Sequence, residues 1–337
     1  MRYVKRLNEA LAGLLADDPK IVLLGEDIAD PYGGAFKVTR GLSTRFPERV
    51  FSTPVSEAGF TGVAVGLALK GFKPVVEIMF GDFITHCADQ IVNHAAKLGW
   101  YRDPERGVPL VFRTPMGGGR GYGATHSQSL EKMFLGVPFV HVVAGNLLTD
   151  PGDLLTQALR LDRTVLFIEH KLHYGRELLD ETADELGAFR ITMTTGDFPT
   201  ATIAIADGAA PQATLVAYGA MADLCLEASR RLFVEDEVEA EVVVPSRIKP
   251  FPLDPIMASV RRTGRLVVVE EGTEGFGWGA QVVCTLLERG AAFAAPPKAI
   301  AAAACPLAGS PYLEKMLLPR TDDIVAAVRS IMAGRKL

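Results

Sequence analysis

The stretch F-S-T-P-V-S-E-A-G-F, residues 51–60, decides how this chain is read. A β-rich run ends at the Thr53-Pro54 turn. One acid, Glu57, then opens A-G-F-T-G-V-A-V-G-L-A-L (58–69), which is small and apolar on nearly every side. A helix that is apolar all round is a buried helix, so 57–69 is expected to be one. Glu57 stands at its N-terminal end, where the helix dipole favours negative charge. A carboxylate entering a core needs a partner or a shifted pKa. From spacing alone, Glu57 reads either as a cap bonding a first-turn N–H or as a tuned functional acid.

Outward from this stretch, short apolar runs alternate with longer helical patterns. Val4–Leu15 has the i, i+3, i+4, i+7 spacing of a helix, and Ile21–Leu24 reads as a buried strand ended by G-E-D-I. Val50–Ser52 leads into 57–69, Val75–Met79 into a helix over Phe83–Leu98, and Leu110–Arg113 into a glycine-rich loop. Val140–Ala144, a helix over 151–161 and Val165–Glu169 complete a set that predicts a mainly parallel α/β sheet. The text loosens after Arg190. We read residues 1–190 as a first domain, 191–211 as a linker in which A-T-I-A-I-A could be a strand, and 212–337 as a second α/β domain. In the second, strands are expected at Ala213–Tyr218, Glu241–Val244 and Arg265–Glu270. Helices are expected at Met221–Phe233, 256–262, Phe276–Leu287 and Thr321–Met332.

Composition narrows the function classes. With 337 residues, 48% of them hydrophobic and 22% charged, the chain can build two sizeable cores. A net charge of −5 and the lack of a basic stripe argue against nucleic acid as a partner. Cys87, Cys225, Cys284 and Cys305 are scattered without CxxC spacing, which suggests neither a disulfide framework nor a zinc site. The N-terminus is amphipathic from its first residues, unlike a secretory signal. The apolar run Ala291–Cys305 is broken by Pro296, Pro297 and Lys298 and is too short to span a bilayer. These features predict a soluble, cytoplasmic protein with no membrane partner.

Four motifs fall in a known order: T-P-V-S-E-A-G-F, E-I-M-F-G-D-F (77–83), A-D-Q-I-V-N-H-A-A-K (88–97) and A-T-H-S-Q-S (124–129). Together they resemble the β subunit of the E1 component of 2-oxo acid dehydrogenase complexes, over about Leu7 to Val328. The resemblance implies a two-domain transketolase-like α/β fold, with a pyrimidine-binding domain and a transketolase C-terminal-like domain. It implies thiamine diphosphate as cofactor and a small 2-oxo acid as substrate. It also implies an α-type partner in an α2β2 heterotetramer. An acid–Asn pair in a G-D-G…N motif, which would hold Mg²⁺ and the diphosphate, finds no match here: G-D-F (196–198) and A-D-G (206–208) both depart from it. Mg²⁺ is therefore expected mainly on the α subunit, with no metal ligand on this chain.

The same resemblance assigns roles. Glu57 is the acid beside the pyrimidine N1′, suited to a proton relay. Phe83 and Met79 lie against the cofactor, an aromatic contact there being physically sensible. His126 lines the active-site channel as a proton donor or acceptor, and Glu26, or its neighbour Asp27, is an acid linked to the Glu57 region. Read without the resemblance, Phe83 is a core residue, His126 a hydrogen-bonded loop histidine and Glu26 a surface acid.

Several features point elsewhere. Gly119-x-Gly121-x-x-Ala124 matches a loose dinucleotide fingerprint but continues T-H-S-Q without an opening helix. His86, Gln90 and His94 would share one face of an α-helix, and His170 and His173 lie close in sequence; both groups read as structural. Leu161 replaces the acid with which family members hold a structural K⁺. The segment C-P-L-A-G-S-P-Y-L-E (305–314) has Gly309 where the family has an aromatic, in the region that docks a lipoyl acyltransferase (E2) core. The alternative to lipoamide acylation is therefore a two-subunit enzyme that makes acyloins or passes acyl or ketol groups to a small acceptor.

Overall fold

The computed structural model describes residues 1–102, 107–179 and 186–333. Two compact units emerge, one formed by Met1–Gly117 with Thr125–Leu178 and the other by Gly118–Ala124 with Leu179–Leu337. The glycine-rich loop thus belongs to the second unit, while the residues on either side of it belong to the first.

The first unit contains α1 (Tyr3–Asp17), β1 (Ile21–Glu26), α2 (Leu42–Arg45), β2 (Val50–Thr53), α3 (Glu57–Leu69) and β3 (Lys73–Glu77). After a 3₁₀ turn (Gly81–Cys87) and a π turn (Gln90–Ala95) come α4 (Ala96–Arg102), β4 (Leu110–Met116), α5 (Lys132–Leu135), β5 (Val140–Ala144), α6 (Pro151–Arg160) and β6 (Thr164–His170). The strands lie in the order β5-β6-β4-β3-β1-β2, every pair parallel. Parallel strands covered on both faces need near-continuous apolar runs. I-V-L-L in β1 and T-V-L-F-I in β6 supply them, buried throughout. From β1 the chain adds β2 on one side and then β3 on the other. That reversal opens a crevice at the carboxyl ends of the strands, where open α/β sheets place ligands.

The second unit contains β7 (Phe189–Met193), β8 (Thr200–Ile205), β9 (Ala213–Ala217), α7 (Met221–Asp236), β10 (Ala240–Pro245), β11 (Arg247–Lys249) and α8 (Leu253–Thr263). It continues with β12 (Leu266–Thr273), α9 (Trp278–Glu288), β13 (Lys298–Ala302), α10 (Pro311–Leu317) and α11 (Thr321–Ala333). Its sheet order is β13-β12-β9-β10-β8-β7, parallel except for the antiparallel pairs of β8 with β10 and β7. Among the described residues, no helix is long and apolar enough to cross a membrane.

Three expectations are corrected. Residues 191–211, read as a linker, carry part of β7 and all of β8, so A-T-I-A-I-A is indeed a strand. In β7 only Phe189 and Ile191 are buried, and β8 is made of small or β-branched residues among threonines, so neither gives a long apolar run in sequence. The single helix expected over Phe83–Leu98 is three segments of different pitch. Helix α3 has the expected bounds but is not buried all round. Phe60, Thr61, Ala64, Val65 and Ala68 face the core, while Ala58, Gly59, Gly62, Val63 and Gly66 are exposed. Its composition is nearly uniform in hydropathy, so the sequence carries no cue to which side is bare.

The core of the first unit is pinned by charge. Arg113 on β4 is buried and donates from Nε and an Nη to the two oxygens of Glu169 on β6, at 2.7 and 2.8 Å. Its other Nη reaches Glu77 on β3 at 2.8 Å. The register sets Arg113 directly opposite Glu77. Burial pushes the Glu77 carboxyl up from its ordinary value. Burial alone would lower the pKa of Arg113, but Glu169 and then Glu77 outweigh it and hold the guanidinium above its ordinary value. Removing one member of such a group strands the others without water. Arg113→Met is expected to cost about 3–5 kcal/mol of unfolding free energy, read from the midpoint of a urea titration. Arg113→Lys should also lose stability, since one ammonium cannot match the planar fork. A loss below about 1 kcal/mol for Arg113→Met, the scale of an exposed pair, would contradict this account.

Candidate active site

The crevice of the first unit gathers residues from separate elements. Glu26 closes β1 and Glu57 starts α3, one on each side of the step from β1 to β2. Glu26 is buried; Glu57 is half-buried. Burial first, and the Glu57 carboxylate second, push the Glu26 pKa up, while the backbone N–H of Ser56 pulls it down. Glu26 Oε1 is buried with no hydrogen-bond partner among the described residues. Beneath the pair, Thr61 donates to Cys87 Sγ at 3.2 Å, and burial pushes the Cys87 thiol up to about 12, which makes it an inert wall.

An aromatic wall follows β3. Met79, half-buried, precedes Phe80, and Phe83 lies on the 3₁₀ turn. The His126 ring meets Phe80 edge-on at 4.9 Å and Phe83 at 5.2 Å between centroids. The chain reaches His126 from β4 through the glycine-rich loop. At its root, Gly117 has φ of +93°, and a Cβ there would run into the His170 imidazole, so only glycine fits. Past His126, Gln128 donates from Nε2 to Asp82 Oδ1 at 2.8 Å, tying the strip to the turn that bears Phe83. Thr125 Oγ1 lies 3.1 Å from His126 Nδ1.

The structure therefore brings Glu26, Glu57, Phe83 and His126 to one end of one sheet, with Met79 one residue from the wall. It also adds Phe80 and His86. In a 3₁₀ helix, side chains at i and i+3 eclipse, so His86 stands beside Phe83, 6.4 Å between ring centroids, and within electrostatic reach of Glu26. Reading 83–98 as one α-helix had aligned His86 with Gln90 and His94. The π turn that begins at Gln90 breaks that alignment. His170 and His173 are buried, 5.5 Å apart.

In the second unit the glycine-rich loop is held by carboxylates. Gly118 N–H donates to Glu271 Oε1 and Gly121 N–H to Glu314 Oε2, both at 2.7 Å. A Cβ at Gly121 would press on Pro311. Among the described residues no helix opens after the loop before Lys132, so the loose dinucleotide match lacks its helix. Nor does any group of three or more His, Cys, Asp or Glu among them form a metal site.

The carboxylate pair, its orphaned oxygen and the aromatic edges fit a flat heteroaromatic ring that carries a protonatable nitrogen.

Two measurements test these assignments. The folded state holds the Glu26 proton more tightly than the unfolded chain, so wild-type stability falls as pH rises from the ordinary value of 4.5 through the raised one. Glu26→Gln should flatten that fall in melts taken from about pH 4 to 8; an unchanged slope would count against a shifted Glu26. Glu314→Ala should release the loop and speed tryptic cleavage after the exposed Arg120 by about tenfold, the factor that 1.4 kcal/mol of lost local protection gives. Equal cleavage rates would show that Glu314 does not hold it.

Comparison with known proteins shows the family of the chain. Residues 1–176 match the transketolase pyrimidine-binding domain, and residues 204–324 the transketolase C-terminal domain. The chain is 36% identical over 325 residues to the mitochondrial pyruvate dehydrogenase E1 component subunit beta-1 of Arabidopsis thaliana, covering 95% of this chain and 86% of that protein. It is 35% identical over 346 residues to the acetoin:2,6-dichlorophenolindophenol oxidoreductase subunit beta of Cupriavidus necator, covering 98% and 97%. A solved split gene transketolase, an inactive β4 tetramer, aligns at a TM-score of 0.72 and 22% identity over 96% of both chains, a likeness of fold. By its domains, its full-length relatives and its fold, the chain belongs to the transketolase-like family of E1 β subunits of 2-oxo acid dehydrogenases.

Proposed function

We propose that this chain is the β subunit of a thiamine diphosphate-dependent 2-oxo acid dehydrogenase and supplies the pyrimidine-binding half of each site. The observation that carries the reading is the Glu26–Glu57 pair at the strand-order reversal, beside the Phe80–Phe83–His126 wall. The naming of the relatives as β subunits supports an α-type partner that holds Mg²⁺ and the diphosphate in an α2β2 assembly.

When bound, the cofactor's chemistry is that of an electron sink for decarboxylation of a 2-oxo acid. This chain contributes proton control and packing. Glu57, at the N-terminus of α3, is the carboxylate that would hold a proton at the pyrimidine N1′. Glu26, beside Glu57, holds its proton more tightly than an ordinary carboxyl, because burial and that neighbouring charge disfavour its ionised form. Phe83 and Met79 would pack against the ring and exclude water. His126, on the wall with Phe80 and Phe83, would exchange a proton with the substrate or the acyl acceptor, which for this family is lipoamide on an E2 core.

One observation favours a second acceptor. The 305–314 segment spends Glu314 on the glycine-rich loop and sets Gly309 and Pro311 against it, in place of the family's aromatic. This supports a two-subunit enzyme that hands the group to a small molecule.

Calorimetric titration with thiamine diphosphate and Mg²⁺ is the deciding experiment. Binding is expected only when the α partner is present, and tight binding by this chain alone would end the half-site reading. In the assembled enzyme, Glu57→Gln should lower kcat by about 10²–10⁴-fold, the contribution of a positioned acid; retained activity would remove Glu57 from the chemistry. Parallel assays with lipoylated protein and with aldehyde acceptors separate the two acceptor readings.

A further inference from the structure

Lys171 is fully buried, directly after β6. An ammonium withdrawn from water is costly unless its donors are engaged. Lys171 Nζ donates to the backbone carbonyl of Gly117 at 2.9 Å and to that of His126 at 2.7 Å. These two carbonyls stand at the two ends of the glycine-rich excursion, and one charged group draws both to a single point in the first unit. The same Nζ lies 5.6 Å from the Phe80 ring centroid, and Phe80 in turn meets the His126 ring at 4.9 Å. Lys171 thus fixes His126 twice, through its own carbonyl and through the ring against which its imidazole rests. Charge-assisted bonds to backbone carbonyls are stronger than neutral ones, and a glycine-rich strip has little stiffness of its own.

The geometry points to Lys171 as a positioning residue for His126: it clamps the two roots of the glycine-rich loop so that the imidazole is held against Phe80 and Phe83. This rests on the proposed function, in which His126 moves a proton. Lys171 acts through His126 and not on the reacting atoms.

The test uses the full chain assembled with its α-type partner and compares wild type with K171M, K171R, H126N and the K171M/H126N double variant. Two readings are taken: steady-state kinetics, and hydrogen exchange of the peptide spanning 117–128. K171M is expected to lower kcat by about 100-fold, the scale of a misplaced catalytic group, while the thiamine diphosphate concentration for half-saturation stays unchanged because Glu57 and Phe83 are untouched. The double variant should be no slower than H126N, and K171R should recover most of the rate. Exchange should quicken at 117–128 and not at 57–69. Additive losses in the double variant, loss of cofactor affinity in step with kcat, or unchanged exchange at 117–128 would each overturn the positioning role. If H126N keeps the full rate, the proton-transfer role given to His126 falls, and the clamp is judged by exchange alone: faster exchange upholds it and unchanged exchange ends it. If K171M fails to assemble, K171Q, which keeps an uncharged donor, takes its place in the same cycle, with a loss between those of K171R and H126N expected and an undiminished rate overturning the proposal.

Discussion

The first unit depends on one arginine held between two carboxylates inside its sheet. Arg113 can stay out of water only because two carboxylates reach it from the neighbouring strands: Glu77 directly opposite it, and Glu169 two residues beyond its partner Phe167. The order continues outward. Tyr174 donates to Glu169 at 2.7 Å and stacks on Phe36 at 4.8 Å, and Phe36 meets Phe80 edge-on at 5.7 Å. An unbroken series of contacts therefore joins the buried ion group to the wall on which His126 rests. A side chain in the role proposed for His126 needs a fixed place more than it needs a strong interaction. Here the fixed place is inherited from the middle of the sheet.

Charge is used in opposite senses along the glycine-rich loop. Its N–H groups are taken by the carboxylates of Glu271 and Glu314 within the second unit, and the carbonyls at its roots by the ammonium of Lys171 within the first. A backbone without side chains cannot be gripped by packing, so polar clamps do that work. Each grips the sign of dipole that its own charge attracts.

Much of this was legible in the sequence, for identifiable reasons. Strand Val140–Ala144 and helix Glu57–Leu69 were expected with the bounds they have: the strand for its valine-rich run, and the helix for its apolar run after the Thr53-Pro54 turn. Glu57, Phe83 and His126 stood out through the motifs around them. What stayed hidden depends on contacts between positions far apart in the chain. Lys171 looks like an exposed lysine after a strand until the carbonyls of Gly117 and His126 are seen to surround it. Glu314 looked like part of a docking segment until Gly121 was seen to need its oxygen. His86 was misplaced because a 3₁₀ turn and a π turn leave no trace in hydrophobic periodicity. The bare side of α3 could not be foreseen in a segment whose faces are chemically alike.

The ion group also constrains how this protein can change over time. A fully apolar replacement of Glu77, Arg113 and Glu169 could be as stable as the present set, since buried ion groups are often no better than well-packed hydrocarbon. Each single step toward it, however, leaves a charge stranded in the sheet. The three positions are thus locked to one another, and substitutions at any of them are tolerated only in company. What preserves the trio is the height of the ground between two workable sequences, a barrier that lies in the space of sequences and not in the fold itself.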